Sequence, residues 1–257
     1  MMKLVTGAAL SVAISTSAYA ADMAYKAPDI GLRGPIQPTV FIDVGAGAGF
    51  SVGSNLKFVN PVGTEFTDNA ISGDQIILSG VDANDASFAA NISIGYFVTP
   101  NLYIKGSYRY FGEYTATGNA SFGGDPYEQS ANARAQGILA GVGYIHNLNE
   151  AYYLDIFAEA GAAYIKTKGT QGANLFPDDP GYFPGHSQTN FVAGLGLGLG
   201  YRLSDSIDLT LTGTYHYLGD VETGTTGADN PVMNEGERLE ITDFGVASIV
   251  AGIRAKF

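Results

Sequence analysis

Residues 190–218 read NFVAGLGLGLGYRLSDSIDLTLTGTYHYL, and this stretch decides the fold. Every second residue from Phe191 to Tyr201 is apolar and glycines fill most positions between them; after residues 203–206 the alternation resumes at Ile207. A period of two predicts two β-strands joined by a tight turn. The apolar faces end in aromatic residues, whereas the other faces carry glycine, hydroxyl and charged groups. This pattern is typical of strands with lipid outside and a polar lumen inside.

The composition favours strands over helices as the membrane-crossing elements. The 257 residues include 35 glycines, 16 tyrosines and 14 phenylalanines, with no cysteine or tryptophan, and the mean hydropathy is +0.07. Beyond residue 20 no apolar run approaches the roughly 20 residues that a spanning helix needs. The net charge of −12 argues against a nucleic-acid partner, because phosphate binding requires clustered lysine and arginine.

The N-terminus has the pattern of a secretory signal peptide. Lys3 supplies the positive charge, residues 4–14 form a short apolar stretch, and Ala18-Tyr19-Ala20 is a small-x-small cleavage site. We therefore expect export followed by cleavage. The chain then divides into a signal peptide at 1–20, a periplasmic N-terminal segment at 21–38 and an outer-membrane β-barrel domain at 39–257.

Long and short connections alternate between the expected strands. The long loops are at 51–84, 112–131, 167–188 and 219–239, and the short turns are at 98–101, 147–150 and 203–206. Bacterial outer-membrane barrels have long extracellular loops, short periplasmic turns and an even number of strands. Since about eight strands of 9–11 residues account for the chain, the sequence predicts an all-β fold. It is a closed, eight-stranded antiparallel transmembrane barrel with four long extracellular loops and three short periplasmic turns.

Three local features refine this topology. Residues 74–80, DQIILSG, can extend a hairpin above the membrane, whereas the prolines and glycines of 176–186, FPDDPGYFPGH, predict irregular structure. In the strand at 132–146 the outward parity of Ile138 also places Arg134 and Gln136 outside. Either these two residues lie above the hydrocarbon or a bulge shifts the register of the strand.

Aromatic residues of outward parity form two expected belts at the membrane interfaces. Beside the short turns and the C-terminus are Tyr96, Tyr144, Tyr152, Tyr201 and Phe257. Beside the long loops are Phe50, Phe88, Tyr108, Tyr110, Tyr164, Phe191, Tyr215 and Tyr217.

Ten polar residues have the parity of the lumen, and they form the candidate site. They are Asp43, Lys105, Arg109, Glu113, Asp155, Glu159, Asp208, His216, Arg254 and Lys256. They form either a charged eyelet that selects solutes or an ion-pair network that fills the barrel, because eight strands leave room for little more than side chains and buried charges must be paired. The inward glycines Gly45, Gly47, Gly49, Gly194, Gly196 and Gly198 favour a channel. The inward aromatics Phe97, Tyr103, Phe111, Tyr153 and Phe157 can lie over these glycines, which favours a plug.

Three stretches resemble the small eight-stranded outer-membrane barrels of the OmpA/OmpX architecture, and most closely the stand-alone porin-like proteins of alphaproteobacteria. They are YFVTPNLYIKGSYRYFG (96–112), LGYRLSDSIDLTLTGTYHYLG (199–219) and VAGIRAKF (250–257). The resemblance implies a Gram-negative outer membrane protein whose C-terminal Phe257 is the signal read by the barrel-assembly machinery. It also implies periplasmic chaperones, lipopolysaccharide and other outer-membrane lipids as partners.

Enzymatic, metal and cofactor chemistry have little support in the sequence. Nucleophilic catalysis needs a hydroxyl beside an oriented base, but His146, His186 and His216 are scattered, and the lack of cysteine leaves no zinc-ligand spacing. The glycines of the first strand complete no nucleotide-binding motif. We therefore expect a non-catalytic barrel without metal or cofactor, porin-like or envelope-structural, with passage of small solutes as one option. The alternatives are an adhesin whose loops bind an unspecified host or surface ligand and, less favoured, an outer-leaflet lipid-modifying enzyme.

Overall fold

The computed structural model describes residues 40–59, 65–66, 79–82, 86–122, 125–171, 181–226 and 236–257. Within these ranges the chain forms eleven strands: β1 (Val40–Val52), β2 (Asn55–Val59), β3 (Glu65–Phe66), β4 (Ser79–Asp82), β5 (Ala86–Phe97), β6 (Leu102–Phe122), β7 (Asp125–Asn147), β8 (Tyr152–Gln171), β9 (Gly181–Arg202), β10 (Ile207–Glu222) and β11 (Arg238–Lys256). In the same ranges no helix has the length and apolarity needed to span a membrane. The signal peptide and the periplasmic segment predicted at 1–20 and 21–38 lie outside the described residues.

Eight of the strands close into a ring. The order is β1-β5-β6-β7-β8-β9-β10-β11, every neighbouring pair is antiparallel, and β11 pairs back onto β1 from Phe41↔Lys256 to Val52↔Gly245. This ring confirms the predicted closed eight-stranded antiparallel barrel. Closure pairs the strand edges with one another, as a barrel surrounded by lipid requires.

The three short turns share one hydrogen-bonding device. Thr99, Asn149 and Ser204 each accept backbone N–H groups two and three residues further on, at 2.8–3.4 Å. Side chains that hold a turn in this way fix where the next strand begins. The turns predicted at 98–101, 147–150 and 203–206 therefore set the register of three hairpins.

The outer wall of the lower barrel is apolar, whereas its charged residues face the inside. Leu195 and Leu197 are 68% and 57% exposed on the outside, whereas Arg109 and Glu159 are only 5% and 4% exposed. Exposed apolar side chains of this kind suit a surface in contact with lipid. The aromatic residues of the two predicted belts lie on the same outer wall, most of them exposed.

The strands on the extracellular side are longer than predicted, so several loop boundaries are wrong. β6 and β7 continue to Phe122 and from Asp125, so most of the loop predicted at 112–131 is a hairpin. β8 and β9 continue to Gln171 and from Gly181, and β10 and β11 shorten the loop predicted at 219–239 in the same way. The cause is burial of small alternating residues that resemble a loop in composition, such as Ala131, Ala133 and Ala135.

The irregular structure predicted at 176–186 is wrong for residues 181–186, which belong to β9, whereas residues 176–180 lie outside the described part of the chain. Phe183 pairs with Gly169 and His186 pairs with Thr167, so Pro184 and Gly185 lie in a register shift of the strand. A bulge tolerates proline because it leaves ladder positions unpaired. The Pro184 carbonyl instead accepts the N–H of Gly224 at 2.7 Å.

The loop predicted at 51–84 contains β2, β3 and β4. β2 takes over the place of β1 beside β11, pairing from Thr242↔Asn55 to Arg238↔Val59, and β3 pairs with β2. β4 pairs with β6, which places residues 79 and 80 of the predicted hairpin segment in a strand; residues 74–78 lie outside the described part of the chain.

Above the outer aromatic belt the barrel continues as an extracellular extension, formed by residues 112–122, 125–135, 165–171, 181–190, 218–226 and 236–246 with β2. The strands β6 to β9 have 20–23 residues, about twice the 9–11 needed to cross the bilayer. Ten further residues at about 3.3 Å each and a tilt of about 40° carry the extension on the order of 25 Å beyond the membrane. Its interior is mostly apolar, with Gln129 and Glu237 among the few buried polar residues, and its outer wall carries Glu113, Arg134, Lys166 and Lys168. The polarity of the wall is therefore reversed relative to the lower barrel.

A bulge in β6 resolves the register of the strand at 132–146. Tyr110 pairs with Gln136 and Gly112 pairs with Ala135, so Phe111 is the extra residue, and Gly112 has φ +122°. β7 itself alternates without interruption, which places Arg134 and Gln136 on the outer wall. Of the two alternatives, continuous parity therefore holds for this strand, and the bulge lies in its neighbour.

Candidate functional site

The lower part of the lumen holds an ion-pair cluster, the lower network, formed by Asp43, Asp155, Asp208, Arg254 and Lys256. Arg254 donates to Asp43 at 3.1 and 3.2 Å and to Asp155 at 2.7 Å. Lys256 pairs with Asp208 at 2.8 Å. Because β1, β8, β10 and β11 each contribute to this cluster, it joins four strands across the lumen.

Two tyrosines complete the lower network. Tyr103 donates to Asp155 at 2.7 Å and Tyr153 donates to Asp208 at 2.9 Å, and both tyrosines are buried. Hydrogen bonds to ionised acceptors are stronger than those between neutral groups. The two phenols therefore hold the carboxylates in place while their rings are buried in the lumen.

An aromatic plug closes the periplasmic end. Phe41 lies 5.2 Å from both Phe97 and Tyr103, measured between ring centroids, and Phe97 lies 5.9 Å from Tyr103. The guanidinium of Arg254 covers the ring of Phe41 at 4.6 Å. Aromatic pairs at these distances attract one another, and the cation–π contact ties the plug to the lower network.

Higher in the lumen, Glu159 is the centre of the upper network, with Lys105, Arg109 and His216. The carboxylate pairs with Lys105 at 3.1 Å, with Arg109, and with Nε2 of His216 at 2.7 Å. All four side chains are buried. The Lys105 ammonium also lies 3.2 Å from the centroid of the Phe157 ring, so both the charge and the stem of the lysine are enclosed.

The two networks balance each other in charge. The lower network has three carboxylates against two cations, and the upper network has one carboxylate against two cations and His216. With a neutral imidazole the two networks together carry no net charge, which lowers the cost of burying so many ionised groups. Between the networks is a cavity of about 20 Å³ lined by residues of both, including Asp43, Lys105, Arg109 and Arg254; it has room for about one water molecule.

The glycines of β9 explain how large side chains fit inside the ring. Across the register Glu159, Gly194 and His216 stand in one row, so the imidazole reaches the carboxylate over a residue without a side chain. A Cβ at Gly196 would overlap the Phe157 ring and one at Gly200 the Tyr153 ring. The inward glycines of the LGLGLG stretch therefore make room for side chains of the neighbouring strands.

We expect Gly200→Ala to destabilise the barrel by about 1–3 kcal/mol, because the added methyl group overpacks the lumen and displaces Tyr153 from Asp208. The measurement is urea unfolding followed by gel mobility. Gly106→Ala is the matched control, since a Cβ at this position meets no atom within 4 Å. Equal stability of the two variants would show that the Tyr153 ring does not depend on the glycine.

The upper end of the lumen is closed by the apolar core of the extracellular extension. Its largest members are aromatic: Phe58 lies 6.3 Å from Phe183, and Tyr114 lies 5.9 Å from Phe244. Leu218, Leu239 and Ile165 are fully buried among them. Within the described residues, the lumen is thus occupied from the aromatic plug through the two networks to this core.

Nine of the ten residues predicted for the lumen point inward, and Glu113 does not. The bulge at Phe111 and Gly112 reverses the parity of β6, so the prediction for Glu113 is wrong and its side chain is exposed on the outer wall. The sequence reasoning also missed Phe41, although its parity, shared with Asp43 and Gly45, was the signal that could have found it. Tyr103 and Tyr153 were expected only as rings over glycines, and their hydrogen bonds to carboxylates were not foreseen.

The histidines are far apart and in different environments. His146 is exposed at the end of β7, His186 is half-buried in β9, and His216 is held by Glu159. Among the described residues there is no group of three histidine, aspartate or glutamate side chains arranged to hold a metal ion.

Comparison with known proteins identifies the family of this chain. The outer membrane protein beta-barrel domain family matches residues 6–246, whereas no curated protein matches the chain in sequence. The outer membrane protein OprG from Pseudomonas aeruginosa is similar in structure, with a TM-score of 0.53, 15% identity and coverage of 86% of this chain and 97% of OprG. The outer membrane protease OmpT from Escherichia coli has a TM-score of 0.50, 10% identity and coverage of 88% and 99%.

At these identities the two structural similarities show the fold alone. The family match covers most of the chain, including every strand from β1 to β10. It implies location in the outer membrane, in agreement with the apolar outer wall and its aromatic belts. The chain therefore belongs to the outer membrane protein beta-barrel domain family.

Proposed function

We propose that this protein is an envelope-structural barrel that does not conduct solutes through its lumen. The observation that carries the proposal is the succession of aromatic plug, lower network, upper network and apolar core along the barrel axis. A solute would have to separate buried ion pairs, and removing one partner of such a pair costs about 3–5 kcal/mol. The cavity between the networks has room for about one water molecule, so it is too small for a hydrated ion or a nutrient.

We expect planar-bilayer recordings of the purified, refolded protein to show no steady conductance. A triple variant, Tyr103→Ala, Tyr153→Ala and Arg254→Ala, removes one of the three plug rings and the phenol and guanidinium donors of the lower network. It should stay closed because the upper network and the apolar core are intact, and a general porin recorded in parallel shows that the assay detects an open barrel. Heat-modifiable gel migration checks that the variant has folded. A steady wild-type conductance would contradict the proposal and favour the porin-like alternative, and a steady leak in the triple variant would show that the upper network and the apolar core do not close the lumen.

We infer no catalytic role. His216 is enclosed by Glu159 and the Phe111 ring, 5.2 Å away, so an external substrate has no access to it. His146 lies at the periplasmic end of β7, away from the outer leaflet where lipid-modifying barrels act. The adhesin alternative stays a prediction, with the polar outer wall of the extracellular extension as the surface it would use.

A further inference from the structure

Three basic side chains project together from the outer wall of β7 and β8, and they form the basic patch: Arg134, Lys166 and Lys168. All three are exposed, and the register places Arg134 directly opposite Lys166 and Asn132 opposite Lys168. Side chains directly opposite each other on one face have Cβ atoms about 5 Å apart. The three positive charges therefore occupy one small area of the wall.

The basic patch lies immediately above the outer aromatic belt. The guanidinium of Arg134 is 5.3 Å from the ring centroid of Tyr110, and the ammonium of Lys166 is 5.7 Å from that of Tyr164. Tyr108 of the same belt donates to Gln136 at 2.9 Å. Because aromatic belts mark the boundary of the hydrocarbon, the cations are at the height of the lipid headgroups.

The charges of the patch are only partly matched within the described residues. Like charges directly opposite each other destabilise a sheet. Glu113, which lies opposite Arg134 on β6, offsets one of the three positive charges without forming an ion pair, so the patch keeps a net positive charge. Two other basic residues have partners: Arg238 on the outer wall pairs with Glu222 at 2.8 Å, and Arg202 at the periplasmic end of the lumen donates to the carbonyl of Glu150 at 2.9 Å. An anion outside the barrel would remove the repulsion in the patch.

We propose that the basic patch binds the phosphate groups of lipopolysaccharide in the outer leaflet. The ligand must be anionic, must lie at headgroup height, and must approach from the side of the wall rather than from above; a phosphorylated glycolipid of the surrounding leaflet meets all three conditions. Arginine and lysine both donate charge-assisted hydrogen bonds to phosphate oxygens. The tyrosine rings beneath the patch contact the adjoining acyl region of the same lipid.

The test compares binding of intact and dephosphorylated lipopolysaccharide to the refolded full-length protein. The double variant Arg134→Gln and Lys166→Gln should bind intact lipopolysaccharide about 30-fold more weakly, from roughly fivefold for each basic residue near an anionic membrane surface. The matched control, Arg202→Gln and Arg238→Gln, removes the same charge elsewhere and should bind as the wild type does. In detergent without lipopolysaccharide, the patch variant should be as stable as the wild type or more so, because it loses the repulsion.

Three results would overturn the proposal. They are equal wild-type affinity for intact and dephosphorylated lipopolysaccharide, an equal loss of affinity in the control variant, and equal binding of inorganic phosphate at the same phosphate concentration. The first result would show that the phosphate groups are not recognised. The second would show that the effect depends only on net charge. The third would show that free phosphate, rather than the lipid, is the ligand.

Discussion

Replacing Glu159 with glutamine should lower the free energy of unfolding by about 3–5 kcal/mol, the largest loss we expect from a single substitution. Glu159 is the one carboxylate of the upper network, and it faces Lys105, Arg109 and His216 inside the lumen. Removing its charge leaves two buried cations without an anion, and an uncompensated buried charge is strongly destabilising. Because the chain lacks tryptophan but has 16 tyrosines, urea unfolding in lipid vesicles can be followed by tyrosine fluorescence together with gel mobility.

Two further variants make this result specific. Glu113→Gln is the same substitution on the outer wall and should change the stability by less than about 0.5 kcal/mol, as is usual for exposed positions. Adding Lys105→Met to Glu159→Gln removes one of the unpaired cations, so it should restore part of the lost stability. If Glu159→Gln and Glu113→Gln behaved alike, the upper network would not be the stabilising element that its geometry indicates.

Leu197→Arg should destabilise the barrel by about 2–4 kcal/mol, because it places a charge on the lipid face near the midplane. Leu197 is 57% exposed on the outer wall of β9, between Phe191 of the outer belt and Tyr201 of the inner belt. The same exchange in a soluble protein with that exposure would cost little. The measurement is the free energy of unfolding in vesicles of defined thickness.

Leu203→Arg is the control for lipid contact. Leu203 is also exposed, but it lies in the periplasmic turn beyond Tyr201, where a charge meets water and the cost falls to about 0–1 kcal/mol. A similar cost for both leucines would contradict the assignment of the outer wall to lipid.

The ring of strands could be predicted from sequence because one rule holds throughout the lower barrel. Between the two aromatic belts, outward positions are apolar and inward positions are mostly small, charged or aromatic. The short turns contain Thr99, Asn149 and Ser204 at equivalent places. The alternation and the turns together fix strand number, direction and facing. The eight-stranded closed barrel follows from them.

The extracellular extension could not be predicted from the same rule, because its walls have the opposite polarity. In residues 130–136, SANARAQ, the alternating alanines are the buried residues and the polar residues between them face outward. A search for alternating large apolar residues overlooks this pattern and reports a loop. The alternation of alanine with polar residues was nevertheless present as a signal.

The facing of Glu113 depended on a single extra residue. The alternation of inward and outward residues predicts the facing of a side chain only up to the next bulge. The bulge at Phe111 and Gly112 is visible in the backbone but not in the composition. The pairing of the lumen charges could not be predicted from the sequence for another reason. Which cation meets which carboxylate depends on the stagger of the strands, so Lys105 reaches Glu159 while Arg254 reaches Asp155.

The reversal of wall polarity above the outer belt determines which amino-acid substitutions each strand position can accept. Along β8, Ile156 and Ala158 are the apolar outward residues, and some ten positions later the same outward side carries Lys166, Lys168 and Thr170. In related sequences we therefore expect apolar residues to be kept at the outward positions of each long strand below the outer aromatic belt. Above that belt they should be kept at the inward positions instead. A map of the substitutions that each strand position accepts would therefore locate the outer boundary of the bilayer along the strand to within a residue or two.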